Sequence, residues 1–163
     1  MAEFINTIDL LGEEATIDGL LTDTLEEFND NELTTIGVAG FTDTGLVSVK
    51  LPNVTLVSSN SFFRCLSLKY LEFSSQVQFG TYSLYTCNAL RTLILRSETL
   101  CTYGGLIAAP QLKEGKGGYI YVPRALIDSY KAADIWKDGY AFRALEDYTV
   151  DGTIHGALDD NKL

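Results

Sequence analysis

The sequence predicts an α/β solenoid of mostly short strands and coil, closed at its C-terminal end by a capping helix. Three observations carry this expectation. Apolar residues recur through the middle of the 163-residue chain every 22 residues. Each recurrence holds a hexapeptide whose last two apolar positions stand two residues apart, the spacing of one face of a strand. Beyond the recurrences, a strand-like run is followed by a helical pattern. The chain divides accordingly into an N-terminal cap over 1–32, repeats over 33–112, a strand–helix cap over 113–148 and a tail over 149–163.

The N-terminal stretch 4–28 sets short apolar groups, Phe4-Ile5, Ile8, Leu10-Leu11, Ile17, Leu20-Leu21, Leu25 and Phe28, between Gly12 and Gly19. That pattern predicts one or two short strands capping the coil.

The repeats follow as ladders. Leu46, Leu68 and Leu90 form one, Val49, Leu71 and Leu93 a second, and Leu51, Phe73 and Leu95 a third. Phe41, Phe63 and Tyr85 hold the same period upstream, as do Cys65 and Cys87. The strand segments read LVSVKL, LKYLEF and LRTLIL. A single unit of this size cannot bury its apolar face, so successive units must stack, each strand pairing with the next. All ladder residues are therefore expected in the core, the aromatic one filling the side of the coil opposite the strands. Identical positions on adjacent rungs lie roughly 5 Å apart, so Cys65 and Cys87 read either as buried free thiols or as a disulfide. With Cys101 the count is odd, there is no CxxC, and His155 is the single histidine. Neither a disulfide framework nor a zinc site is indicated.

At the C-terminal end, Gly115, Gly117 and Gly118 mark a loop and Tyr119-Ile120-Tyr121-Val122 a strand. Pro123 suits the first position of a helix, Leu126, Tyr130 and Ala133 follow at helical spacing, and Gly139 suits its end. This helix is expected to plug the core with Trp136 beside it. The Gly-, Asp- and Asn-rich tail reads either as disordered or as a docking segment that adds a strand to a partner's sheet.

Composition narrows the function. Apolar residues make up 46% and charged residues 21%, a globular balance. Twenty-two acidic against 12 basic residues give a net charge of -10. Without a basic footprint, nucleic acid and anionic membranes are poor partners. No run approaches the roughly 20 apolar residues of a membrane span, so no membrane insertion is expected. No secretory leader is apparent, so synthesis in a cytosol is expected. The adjacent carboxylates Glu13-Glu14, Glu26-Glu27, Glu146-Asp147 and Asp159-Asp160 fall at ends and turns, where solvated surface is the expectation rather than a glycosidase pair. Gly115-Lys116-Gly117-Gly118 lacks phosphate-loop spacing. No catalytic residue, metal site or cofactor is expected, and the chain reads as a non-enzyme. Residues flanking the inward pair on each strand point outward: Ser48 and Lys50, Tyr70 and Glu72, Thr92 and Ile94, with Arg96 just beyond. They read either as ordinary surface or as a mixed polar and aromatic recognition face.

The segments LPNVTLVSSNSFFRCLSLKYLEF (51–73) and SLYTCNALRTLIL (83–95) resemble the BspA-type leucine-rich repeats of gut bacteria and their phages. The likeness spans roughly 33–148, and the stretch from Gly117 to Thr153 is similar to the closing segment of such proteins. The opening, from Phe4 to Gly37, is similar to the start of short phage-encoded versions. The familiar Asn or Cys eight residues after the first leucine is replaced by Val54, Gln76 and Glu98, so an asparagine ladder is absent. The resemblance implies a non-enzymatic binding or structural protein. The expectation is a phage virion component (decoration, fibre-associated or receptor-binding) that contacts other virion proteins or a host-surface glycan or protein. The alternative is a bacterial cell-surface adhesin module. Self-association into a homo-oligomer stays open.

Overall fold

The computed structural model describes residues 26–150 together with 153 and 154. Parallel pairing builds a six-stranded sheet from β1 (Glu27–Asn29), β3 (Ser48–Lys50), β5 (Tyr70–Phe73), β7 (Thr92–Leu95), β9 (Tyr119–Val122) and β10 (Phe142–Ala144), neighbours in that order. The second wall of the coil is a four-stranded parallel sheet of β2 (Thr35–Ile36), β4 (Leu56–Val57), β6 (Gln78–Phe79) and β8 (Thr102–Tyr103). Each of the first four rungs thus contributes one strand to each wall, and β9 and β10 extend the first wall alone, which is consistent with a solenoid. The first wall already includes Phe28, paired with Val49, within the stretch read as a cap. The expected cap strands upstream of it, through residue 25, lie outside the described residues. The second wall was not foreseen, because its strands are two residues long and carry no alternation.

Register explains the ladders. Val49, Leu71 and Leu93 are direct partners, continued by Ile120 and Phe142. All three leucine-type ladders of the repeats are fully buried. Parallel sheets buried in this way need apolar residues on the inner face of every rung. Close approach between rungs also restricts the turns: a Cβ on Gly80 would stand 2.5 Å from the Ser59 amide nitrogen.

The aromatic ladder differs from expectation. Phe41 is buried, but its stacking partner is Phe62, with ring centroids 5.3 Å apart, and Leu84 continues the buried row. Phe63 is half-buried and Tyr85 is exposed. The turn connecting the first two rungs is one residue shorter than the strand period, so the inward position shifts to the preceding residue. Hydrogen bonds record the shift: Phe41 N donates to Ser61 O and Phe62 N to Ser83 O.

The missing asparagine ladder is replaced by main-chain bonds between rungs. Ala39, Asn60 and Tyr82 adopt φ near 60°, as do Asp43, Arg64 and Thr86. These left-handed residues form two corners of the coil. The corner amides of Ala39, Asn60 and Tyr82 donate to Ser59, Thr81 and Leu106 carbonyls on the next rung at 3.1, 3.1 and 2.6 Å. Such conformations cost about 1–3 kcal/mol each and persist where neighbours over-determine them. Val54 is buried, while Gln76 and Glu98 face solvent; the inward row here is Leu33, Val54, Val77 and Cys101.

Cys65, Cys87 and Cys101 are buried free thiols. Cys65 Sγ donates to Phe41 O at 2.9 Å and Cys87 Sγ to Phe62 O at 3.0 Å. Burial pushes the Cys101 thiol up from its ordinary value. All three are expected to stay unreactive toward an aromatic disulfide reagent in the native protein and to titrate on unfolding. Fewer than three thiols released in denaturant would mean that the Cys65–Cys87 pair is bonded.

The cap departs from a single long helix. A 3-10 turn at Arg124–Leu126 leads into helix α1 (Ile127–Ala132), which ends at extended Ala133. Pro123 precedes the turn rather than opening the helix, and Gly139, at φ 82°, lies in the turn before β10. The early end swings Trp136 into the core, where its indole N–H donates to Cys101 O at 2.6 Å. Of the tail, β11 (Thr149–Val150) pairs antiparallel with β12 (Thr153–Ile154); the remainder lies outside the described residues.

Candidate binding surfaces

Strand alternation does turn the seven predicted residues away from the solenoid core, but it does not leave them open. Ser48, Lys50, Tyr70 and Thr92 are half-buried, whereas Glu72 and Ile94 are fully buried and Arg96 nearly so. The reason is the chain itself. A 3-10 turn at Leu145–Asp147, with Tyr148 after it, packs on this face: Ile94, Leu145 and Tyr148 form a small second core flanked by Tyr70 and Tyr121. The Tyr148 ring lies 4.7 Å from Tyr121 and 6.4 Å from Tyr70. Polar contacts with Arg124 help fasten this strap. Arg124 pairs with Asp147 at 2.7 Å, and a Glu146 carboxylate oxygen accepts the Arg124 amide at 3.0 Å.

Beneath the strap lies a buried polar network. Arg96 Nε donates to the Glu72 carboxylate, and the Tyr70 hydroxyl donates to the same carboxylate. Burial, reinforced by the negative charge of Glu72, pushes the Tyr70 phenol well above its ordinary value, so it stays a protonated donor. Burial likewise raises Tyr148. Glu72, Ile94 and Arg96 are therefore packed inside the fold rather than on open surface, while Ser48, Lys50, Tyr70 and Thr92 stay half-buried.

The corner opposite is open. Tyr82 and Tyr85 are each 44% exposed, with ring centroids 5.4 Å apart, and Phe63 stacks 5.7 Å from Tyr85. Arg64 and Asp43 pair beside them at 3.0 Å. The left-handed residues Tyr82 and Arg64 sit within the inter-rung hydrogen-bond ladder, so the strip is carried on rigid backbone. The sequence held a signal for it: SFF and SLY each offer two large side chains where one inward position exists. Period alone could not say which turned in.

The family comparison now meets this geometry. Six copies of the model for the BspA type leucine-rich repeat region match residues 22–106, just over half of the chain. The chain belongs to the BspA-type leucine-rich-repeat family. In this BspA-type chain the matched region runs from before β1 through the last strand of the second wall, the stacked part of the solenoid. The family fold is generally a binding or structural one, which suggests a surface or binding repeat protein. No curated protein and no solved structure matches the chain.

Other predicted features fall as follows. Among the described residues, no three His, Cys, Asp or Glu side chains gather as a metal site, and no helix is long and apolar enough to cross a membrane. Glu26, Glu27, Glu146 and Asp147 are exposed, the last two fastening the strap. Glu13-Glu14, Asp159-Asp160 and His155 lie outside the described residues.

Proposed function

We propose that this BspA-type chain is a non-enzymatic recognition and structural component of a phage virion, acting as a decoration, fibre-associated or receptor-binding protein. The observation that carries recognition is the aromatic strip Phe63–Tyr85–Tyr82, whose two tyrosines are exposed, held on rigid turns while Ile94, Glu72 and Arg96 of the strand face are buried. Aromatic rings with few rotatable bonds supply contact area at low entropic cost, and tyrosine adds a polar tip for a protein or glycan partner. The virion setting draws on the likeness of the opening segment to short phage-encoded versions. The tail would be the attachment to other virion proteins.

Two measurements test this together. The chain is expected to co-purify with virions, and to lose that association when 149–163 is deleted. Labelled protein is expected to bind saturably to Gram-positive gut-type cells, their wall polysaccharides or mucin glycans. Tyr85→Ala should weaken that binding at least tenfold, with stability changed by no more than about 0.5 kcal/mol because the ring is exposed. Cell binding without virion association would favour a bacterial cell-surface adhesin module. Binding unaffected by Tyr85→Ala would remove the corner as its seat.

A further inference from the structure

Between the last turn of the repeats and the cap lies an open cleft of about 430 Å³, lined by Tyr103, Gly104, Gly105, Leu106, Asp134, Ile135 and Asp138. Going beyond the corner reading, at a separate place on the chain, we propose that this cleft binds a neutral saccharide unit of a surface glycan. Its volume falls in the range of small-molecule sites, about 300–1,000 Å³.

The chemistry of the walls selects the ligand class. A pyranose presents an apolar C–H face and a rim of hydroxyl groups. Tyr103, Leu106 and Ile135 supply an apolar wall, and Leu106 is 46% exposed. Tyr103 is buttressed edge-on by buried Trp136 at 4.8 Å and 90°, so its ring orientation is set before any ligand arrives. Asp134 and Asp138 contribute acceptor oxygens, and one carboxylate can accept two neighbouring hydroxyls. Gly104 and Gly105 keep one side free of side chains. A cation is the competing class, but Lys137 already pairs with Asp134 at 3.0 Å and lowers the local negative charge. A mostly apolar wall with acceptors at its margin suits a neutral, hydroxyl-rich ligand better than a strongly hydrated ammonium.

Gly104 offers a clean probe. Its φ is not in the left-handed region and an added Cβ meets nothing within 4 Å, so Gly104→Phe fills the cleft with little strain. The full chain would be titrated on an array of neutral oligosaccharides ending in N-acetylhexosamine, galactose or rhamnose, beside N-butylguanidinium and a lysine-rich peptide. The expected result is saturable binding to at least one neutral glycan, at least tenfold weaker in both Gly104→Phe and Asp138→Ala. Melting temperatures of the variants should match the parent. Binding of the cationic probes alone, no neutral glycan bound, or glycan binding that survives both cleft variants overturns the proposal. Should Gly104→Phe leave cell binding intact while Tyr85→Ala abolishes it, the saccharide cleft fails and the corner reading stands.

Discussion

Truncating Trp136 to alanine is expected to cost about 3–5 kcal/mol of folding stability, the largest effect of any single side chain in the cap. The indole is buried and makes edge contacts with Phe79, Tyr103, Tyr130, Tyr140 and Phe142, at centroid distances of 6.4, 4.8, 5.7, 5.7 and 5.9 Å. No neighbour has the volume to refill that space. The indole also completes a hydrogen-bond end for the coil. Cys101 precedes β8, the last strand of the second wall, and has no further rung to pair with. Its carbonyl accepts from Trp136 and its amide donates to the Tyr130 hydroxyl at 2.8 Å. Two cap side chains thus replace the missing rung. Trp136→Phe should fall between parent and alanine variant, keeping most of the packing and losing the carbonyl's partner, which adds about 1–3 kcal/mol. Urea unfolding of the three proteins checks the order. A Trp136→Ala loss under about 1 kcal/mol would mean that the cap is not part of the cooperative unit.

Breaking the Glu72–Arg96 pair from one side is expected to be comparably severe, about 3–5 kcal/mol for Glu72→Ala or Arg96→Ala. Both side chains are removed from solvent. Arg96→Ala leaves the buried Glu72 carboxylate without its guanidinium, and Glu72→Ala takes away the carboxylate that Arg96 Nε donates to, so the penalty is that of a disrupted buried charge pair rather than the worth of one bond. Glu72→Ala also removes the acceptor of the Tyr70 hydroxyl. Replacing both partners by apolar groups of similar size, Glu72→Leu with Arg96→Met, should recover most of the loss. A double-mutant cycle read by denaturant unfolding separates the two cases. Additive losses would show that the pair does not act as a unit.

The ladders were legible because a solenoid writes its tertiary contacts as a local period. Leu46, Leu68 and Leu90 recur at one spacing since each occupies the same site on successive rungs, and three of the first wall's six strands lie in the hexapeptides that spacing marked. The cap strand was legible too: Tyr119–Val122 is apolar on alternate positions and pairs as β9. Where the period slipped by one residue, as between Phe41 and Phe62, composition could not tell an inward from an outward aromatic. Only the hydrogen bonds between rungs do so.

By itself, then, the sequence determined the repeat, its leucine-type inward rows, the family and the cap strand, because burial of an apolar row in a stacked coil leaves a one-dimensional trace. The tertiary structure alone decided which surfaces are open. Whether Glu72, Ile94 and Arg96 face water depends on Leu145–Tyr148, a segment far along the chain that shares no period with them. The cleft beside Tyr103 likewise joins a repeat turn to the segment after α1. Contacts between stretches unrelated in sequence carry no repeating signal, since their partners are selected by proximity in the folded chain rather than by spacing along it.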